Sequence, residues 1–165
     1  MGEIKENKYL AGEIEGKFFI KFIGNATMRN SKTIDELLEK LLKEEAKDVI
    51  FDLEECNYMD STMLGLIAKT AIKIKKNWKR TLYVLNTSNM IKSSFKSTGV
   101  NKLLEFIESE SIKEESIEEL EMKDFENKES KTKHILEAHK TLMGLTDENK
   151  KVFKNVVTLL EKELE

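Results

Sequence analysis

The chain has 165 residues, 36 % of them charged and 39 % hydrophobic, with a net charge of −3, which fits one globular domain or one domain with an appendage. That balance gives no general attraction to nucleic acid. A lone cysteine, Cys56, rules out an internal disulfide and argues against a Cys-based metal site.

No apolar run approaches the roughly 20 residues that span a bilayer, and the opening stretch MGEIKENKY lacks the apolar core of a leader peptide. A cytoplasmic protein without membrane insertion is the expectation. Tyr9, Leu10 and Ile14 form a weak apolar pattern, Glu15-Gly16 signals a turn, and Phe18 to Ile23 is rich in aromatic and β-branched residues. A hairpin over residues 8–24 follows. Thr33-Ile34-Asp35-Glu36 has the form of a capping box. Behind it Ile34, Leu37, Leu38, Leu41 and Leu42 keep helical spacing as far as Ala46. Val49 to Leu53 is a short buried-strand run. Asp60 is a good N-cap for a helix striped by Leu64, Ile67, Ala68, Ala71 and Ile72. Met63 and Leu66 lie beside that stripe, as the edge of a wide core face or as a partner-facing patch that Met would suit.

Thr81 to Leu85 reads as another buried strand, and Asn86 to Asn89 can cap a short helix through Met90, Ile91, Ser94 and Phe95 that Gly99 ends. Leu103 to Ile107 suits a last strand or a helical turn. The order ββαβαβα, with strands and helices alternating, predicts an α/β fold: a mixed four- to five-stranded sheet with helices against it. Beyond Glu108 the character changes. Between Glu105 and Glu129 there are eleven acidic residues, and Ile112, Ile117, Leu120 and Met122 allow one amphipathic helix there. Residues 123–133 read as a polar connector or solvated helix. Ile135, Leu136, Leu142, Met143 and Leu145 can partner a final helix opened by Thr146-Asp147-Glu148. Val152, Phe153, Val156, Val157, Leu159, Leu160 and Leu164 form its apolar side. An αα-hairpin around Gly144 is expected, dividing the chain into a domain over residues 1–122 and a helical extension over 123–165. These helices could pair two chains as a homodimer.

The middle pieces carry the functional signal: the strand Val49-Ile50-Phe51-Asp52-Leu53, an acidic loop, then Asp60-Ser61-Thr62-Met63-Leu64-Gly65-Leu66 at a helix start. With the N-terminal hairpin, the Ser97-Thr98-Gly99-Val100 turn and Leu103 to Ile107, this ordered set resembles the STAS family. The family includes the bacterial anti-sigma factor antagonists. The resemblance runs from about residue 8 to 120 and implies a STAS-like sheet carrying a C-terminal helical extension. It also implies that Ser61 is a phosphoacceptor, with Thr62 as the alternative, for a partner that is both anti-sigma factor and serine kinase. The unphosphorylated form would bind and the phosphorylated form would not. The implied partner-binding residues are Asn25, Thr27, Asp60, Ser61, Thr62, Met63 and Leu66. Two positions depart from the family pattern: Met63 stands where a small residue is usual, and Gly24-Asn25-Ala26-Thr27 replaces a Gly-x-Leu-Asp type stretch.

A hydroxyl at the first helical position sits near unpaired backbone N–H groups, which tolerate a phosphate. The added negative charge beside Glu54, Glu55 and Asp60 would repel an acidic partner. The plainer reading of Asp60-Ser61-Thr62 is a helix cap alone. Lys69, Lys73, Lys75, Lys76, Lys79 and Arg80 read as a solvated helix face, or as a dock for the acidic segment. His134 and His139, five apart, read as surface residues. Trp78 reads as packing, and Cys56 as semi-buried. No nucleophile–base pair or metal set is visible in the sequence, so neither an enzyme nor a cofactor is expected. The alternative function is an unphosphorylated STAS binding or scaffold subunit of a transporter or signalling complex.

Overall fold

The computed structural model describes residues 6–165; most of the stretch read for a leader, residues 1–5, lies outside them. β1 (Lys8–Ile14) and β2 (Lys17–Ala26) form the expected antiparallel hairpin. Glu15 and Gly16 join them with φ of 51° and 78°, the doubly left-handed turn whose twist suits a two-residue loop.

α1 (Met28–Leu41) starts five residues before the expected capping box. Its cap is Thr27, whose side chain accepts from Arg29 N, while the Asn30 side chain accepts from Thr27 N. The Thr33 box is therefore corrected: Thr33 is already helical and buried, and its hydroxyl oxygen accepts from Lys123 N at 2.8 Å. β3 (Val49–Asp52), α2 (Ser61–Trp78), β5 (Leu82–Leu85), α3 (Asn89–Thr98) and β6 (Leu104–Ile107) follow, bounded by β4 (Cys56–Met59). Leu103 closes a 3-10 turn and the last strand begins after it.

The sheet runs β6-β5-β3-β2-β1-β7, where β7 is Glu118–Glu119 and β4 pairs with the end of β2. Seven strands thus replace the expected four to five. Both additions satisfy backbone that would otherwise be bare. β2 is ten residues long and β3 only four, so the overhanging Gly24–Ala26 pairs with β4 instead. β7 covers the open edge of β1 at Leu10 and Ala11. The expected helix through Ile112 and Met122 is also corrected, because this segment is extended apart from one 3-10 turn at Glu114–Ser116. A helix would have set Glu114 against Glu118 and Glu115 against Glu119 at repulsive i,i+4 spacing, while β1 offered a strand edge.

Successive strand residues face opposite sides of the sheet. Tyr9, Ala11, Ile20, Phe22 and Phe51 face α1, α2 and α3 in the main core, with Ile34, Leu38, Met63, Ile67 and Phe95. Leu10 and Ile23 face the other way, under Ile117 and Ile112 of the acidic segment. That segment is tied to the sheet end by the fully buried Asp52, whose Oδ2 accepts from Ser111 Oγ at 2.6 Å and Ile112 N at 3.1 Å. Lys21 pairs with Glu55 at 2.8 Å beside it. Burial alone would lower the Lys21 pKa, but the hydrogen bond and charge of Glu55 outweigh it and raise it.

α4 (Lys128–Met143) and α5 (Asp147–Glu163) form the αα-hairpin at Gly144. α4 lies on the outer side of α1 and α2, so the molecule gains a third layer there. On α5 the apolar side is only partly used. Val157 is buried, whereas Val152, Val156 and Leu159 are exposed. Among the described residues no helix is long and apolar enough to cross a membrane.

Candidate functional site

Asp60 fastens two helix starts at once. Its Oδ1 accepts from Met63 N at 2.9 Å as the cap of α2, and its Oδ2 accepts from Met28 N at 2.8 Å in the first turn of α1. One carboxylate thus serves the positive ends of two helices, and Asp60 N reaches back to Ala26 O. The chain leaves this corner through Ser61, the first residue of α2. Ser61 is half-buried, while Asn25 on the neighbouring strand end is exposed and Thr27 is half-buried as the α1 cap. Those four residues come together at one end of the sheet.

Three of the expected partner-binding residues lie inside. Thr62 is 4 %, Met63 0 % and Leu66 1 % exposed, which favours Met63 and Leu66 as part of the core face over a partner-facing patch. At 3.6 residues per turn, Met63 points about 160° away from Gly65. Gly65 faces α4, so Met63 faces the sheet. Its bulk fills core. An unforeseen feature at the corner is β4, whose Asn57 and Tyr58 stand exposed just before Ser61, with Tyr58 at 51 %.

The two histidines occupy the α4 interface, correcting the reading of them as surface residues. His139 Nδ1 donates to Ile135 O at 2.7 Å, and its Nε2 lies 2.9 Å from Ser61 Oγ, within hydrogen-bond distance. The His139 ring packs edge-on against Phe153 of α5, centroids 5.4 Å apart. His134 contacts Ser31 Oγ through Nε2 at 2.7 Å, and its Nδ1 is 3.5 Å from Asp35 Oδ2. Asp35 also pairs with Lys69 at 3.0 Å, and Lys69 with Glu137 of α4 at 3.5 Å. Burial pushes the Asp35 carboxyl up, but the His134 bond and the Lys69 charge prevail and bring it down to about 2.

Ser–His contacts, invisible in the sequence, therefore exist in the fold. Ser31, His134 and Asp35 follow the order of an acyl-transfer triad, but Ser31 is fully buried and commits its proton to Met28 O at 2.9 Å. A substrate carbonyl has no approach to it, and a triad is recognised by such geometry and not by residue types. Among the described residues no group of three or more His, Cys, Asp or Glu side chains is placed to hold a metal ion. The basic stretch does not meet the acidic segment: Lys69 and Lys73 pair with Asp35 and Glu39 of α1, and Arg80 with Asp48. Trp78 packs half-buried against the core. Cys56 is fully buried rather than semi-buried, and burial raises its thiol to about 11.

α4 touches α2 with backbone. A Cβ at Gly65 would come within 2.3 Å of Ala138 O and 2.8 Å of Ala138 Cα. Further along the hairpin, Leu142 is fully buried in the main core, and Asn149 donates to Thr98 O and Leu142 O, both at 2.8 Å.

Against known proteins, residues 9–113 match the STAS domain model. The anti-sigma-B factor antagonist of Staphylococcus aureus (strain NCTC 8325) is 30 % identical over 99 residues, covering 59 % of this chain and 91 % of that protein. Its Staphylococcus epidermidis counterpart is 31 % identical over 93 residues, covering 56 % and 85 %. Among solved structures, the anti-sigma factor antagonist SpoIIAA in its unphosphorylated form superposes with a TM-score of 0.52 at 13 % identity, over 62 % of this chain and 89 % of that one. The phosphorylated form of the Bacillus cell fate determinant SpoIIAA gives 0.51 at 14 %, over 62 % and 91 %. At such identities the structures speak for the fold alone. The STAS domain match ends at residue 113, before α4 begins at Lys128. On the matched sequence and the shared fold together, the chain belongs to the STAS domain family.

Proposed function

We propose that the protein is an anti-sigma factor antagonist-like regulator, which binds an anti-sigma factor that is also a serine kinase and is switched by phosphorylation of Ser61. The observation that carries this reading is the Asp60 corner: the carboxylate holds the starts of α1 and α2 together and sets Ser61 at the first position of α2. The relatives at about 30 % identity are named anti-sigma-B factor antagonists. The kinase would transfer the terminal phosphoryl group of a nucleoside triphosphate to Ser61 Oγ, the hydroxyl proton leaving and the diphosphate departing as product. The new group brings about −1.5 to −2 charges to a corner that already holds Asp60. Asn25, Thr27 and the exposed Tyr58 would supply the docking surface, Tyr58 as an aromatic anchor of the kind that dominates interfaces. Thr62 is the alternative acceptor, although it is buried.

The test is intact-mass analysis of the protein from its own cells, beside Ser61→Ala, with pull-down of the anti-sigma factor by wild type and Ser61→Asp. A phosphoform that vanishes in Ser61→Ala, and binding that fails in Ser61→Asp, are expected. No phosphoform under any growth condition together with full binding by Ser61→Asp would refute the switch. The second reading is an unphosphorylated binding or scaffold subunit, favoured by the engagement of the Ser61 hydroxyl with His139. The division at residues 122/123 and a homodimer through the exposed Val152, Val156 and Leu159 of α5 belong to the same proposal. Light scattering would show a dimer that becomes a monomer in Val156→Glu/Leu159→Glu.

A further inference from the structure

We propose that the α4–α5 hairpin is a displaceable cover on the Ser61 face, such that a phosphate on Ser61 and a docked hairpin exclude one another. The use of this cover in signalling rests on the phosphoacceptor reading above; the exclusion itself is a property of the chain.

Three observations meet at the same place. The first is that His139 stands directly against Ser61 Oγ. His139 Nε2 lies 2.9 Å away, where a phosphoryl group would set its phosphorus and three oxygens. The imidazole cannot swing clear while docked, because Nδ1 is held by Ile135 O and the ring rests on Phe153. The second is that α4 has no slack to rise by a fraction. Its backbone at Ala138 lies against the bare Cα of Gly65, one turn after Ser61, so a group inserted at Ser61 must lift the helix as a whole. The third is that the hairpin's attachments can be named: Leu142 is buried in the main core, and polar contacts tie the rest. His139 and Ala138 meet α2, His134 meets Ser31 and Asp35 on α1, and Asn149 meets the end of α3. Residues 126 and 127, just before α4, are exposed.

Two consequences follow. With the hairpin docked, a kinase meets a serine whose hydroxyl is engaged by a buried histidine, so modification selects the lifted state. Once phosphorylated, Ser61 keeps the hairpin off, and the surface beneath α4, with Gly65 at its centre, stays open.

The test uses the full chain. Phosphoserine is installed at position 61 by codon suppression, and amide hydrogen exchange is followed over α4, with β2 and β3 as the internal control. Loss of α4 protection on the order of ten- to a hundredfold is expected, the scale of a packing clash, with β2 and β3 unchanged. Equal or greater α4 protection in the phosphoserine protein would overturn the proposal. Gly65→Ala is the companion variant. Ala favours the α2 helix itself, yet its Cβ cannot share space with Ala138, so α4 should lose protection on the same scale while the sheet does not. If the phosphoserine protein unfolds globally, Gly65→Ala decides, and full α4 protection there sinks the cover. An absent phosphoform in cells would end the phosphoacceptor reading while leaving this exchange pattern intact, so the two ideas fail separately.

Discussion

Asp35 is the knot between three helices, and acid should loosen it. Its carboxylate, on α1, meets Lys69 of α2 at 3.0 Å and His134 of α4 at 3.5 Å. The side chain is 24 % exposed, so its interactions are only partly screened by solvent. The carboxyl is held down to about 2, against an ordinary value of 3.8. A carboxylate depressed on folding stabilises the fold above its unfolded pKa, and that stability drains away as the pH falls toward the folded value. The difference corresponds to about 2 kcal/mol at neutral pH, of which about half should be gone near pH 3. Asp35→Asn isolates the effect. Urea unfolding near neutral pH should find the variant about 2 kcal/mol less stable than wild type, and the gap should shrink by about half near pH 3. Comparing the two proteins at each pH cancels the other carboxylates. A gap that stays constant from neutral pH to pH 3, or that widens in acid, would refute the assignment of the depressed pKa to this clamp.

Asp60→Ala removes the cap shared by two helices, and a loss of about 2 kcal/mol is expected in thermal or urea unfolding; a loss below about 0.5 kcal/mol would mean that the shared carboxylate is dispensable. Asn149→Ala strands two carbonyls, at Thr98 and Leu142, that the side chain now serves; amide exchange in α5 should rise as the hairpin loosens by about 1–3 kcal/mol, with the sheet unaffected. Cys56, buried and with its thiol raised to about 11, should react with an aromatic disulfide reagent far more slowly in native protein than in urea. A rapid native reaction would show that the β4 corner opens on its own.

Most helix ends, set by chemistry within one or two turns of chain, are legible in the sequence. Asp60, Ser88, Thr146 and Gly99 mark helix ends by chemistry confined to a few residues, and each stands at such an end. The α1 start was missed because Thr27 and Asn30 cap reciprocally in a pattern that mimics a capping box with an amide in place of Glu, while Thr33 to Glu36 matched the usual form by coincidence. β4 was hidden for another reason: Cys56 and Met59 are buried and Asn57 and Tyr58 exposed, a pattern too short to signal a strand. It exists because β2 overhangs β3, a fact about partners distant in the chain. Helix-face periodicity alone does not place the histidines. Five residues place them about 140° apart, which suits a helix lying between two others, so that one reaches Ser31 on α1 and the other Ser61 on α2. Gly65 was the available clue, since a glycine inside a helix costs about 1 kcal/mol against Ala and marks a place where another backbone comes close.

Leu142 gives the hairpin a quantitative meaning. It is fully buried in the same core as Phe51 and Ile67, so lifting the hairpin bares a leucine-sized socket as well as a serine. Burying such a side chain is worth about 2 kcal/mol, so this one residue alone would keep the open form to about one molecule in thirty. A ligand that requires the open face sees its affinity multiplied by that fraction. The docked helix then acts as a threshold: weak or incidental binders are ignored, and a binder that refills the socket left by Leu142 recovers the lost factor. Leu142→Ala should lower the threshold and make the surface less discriminating.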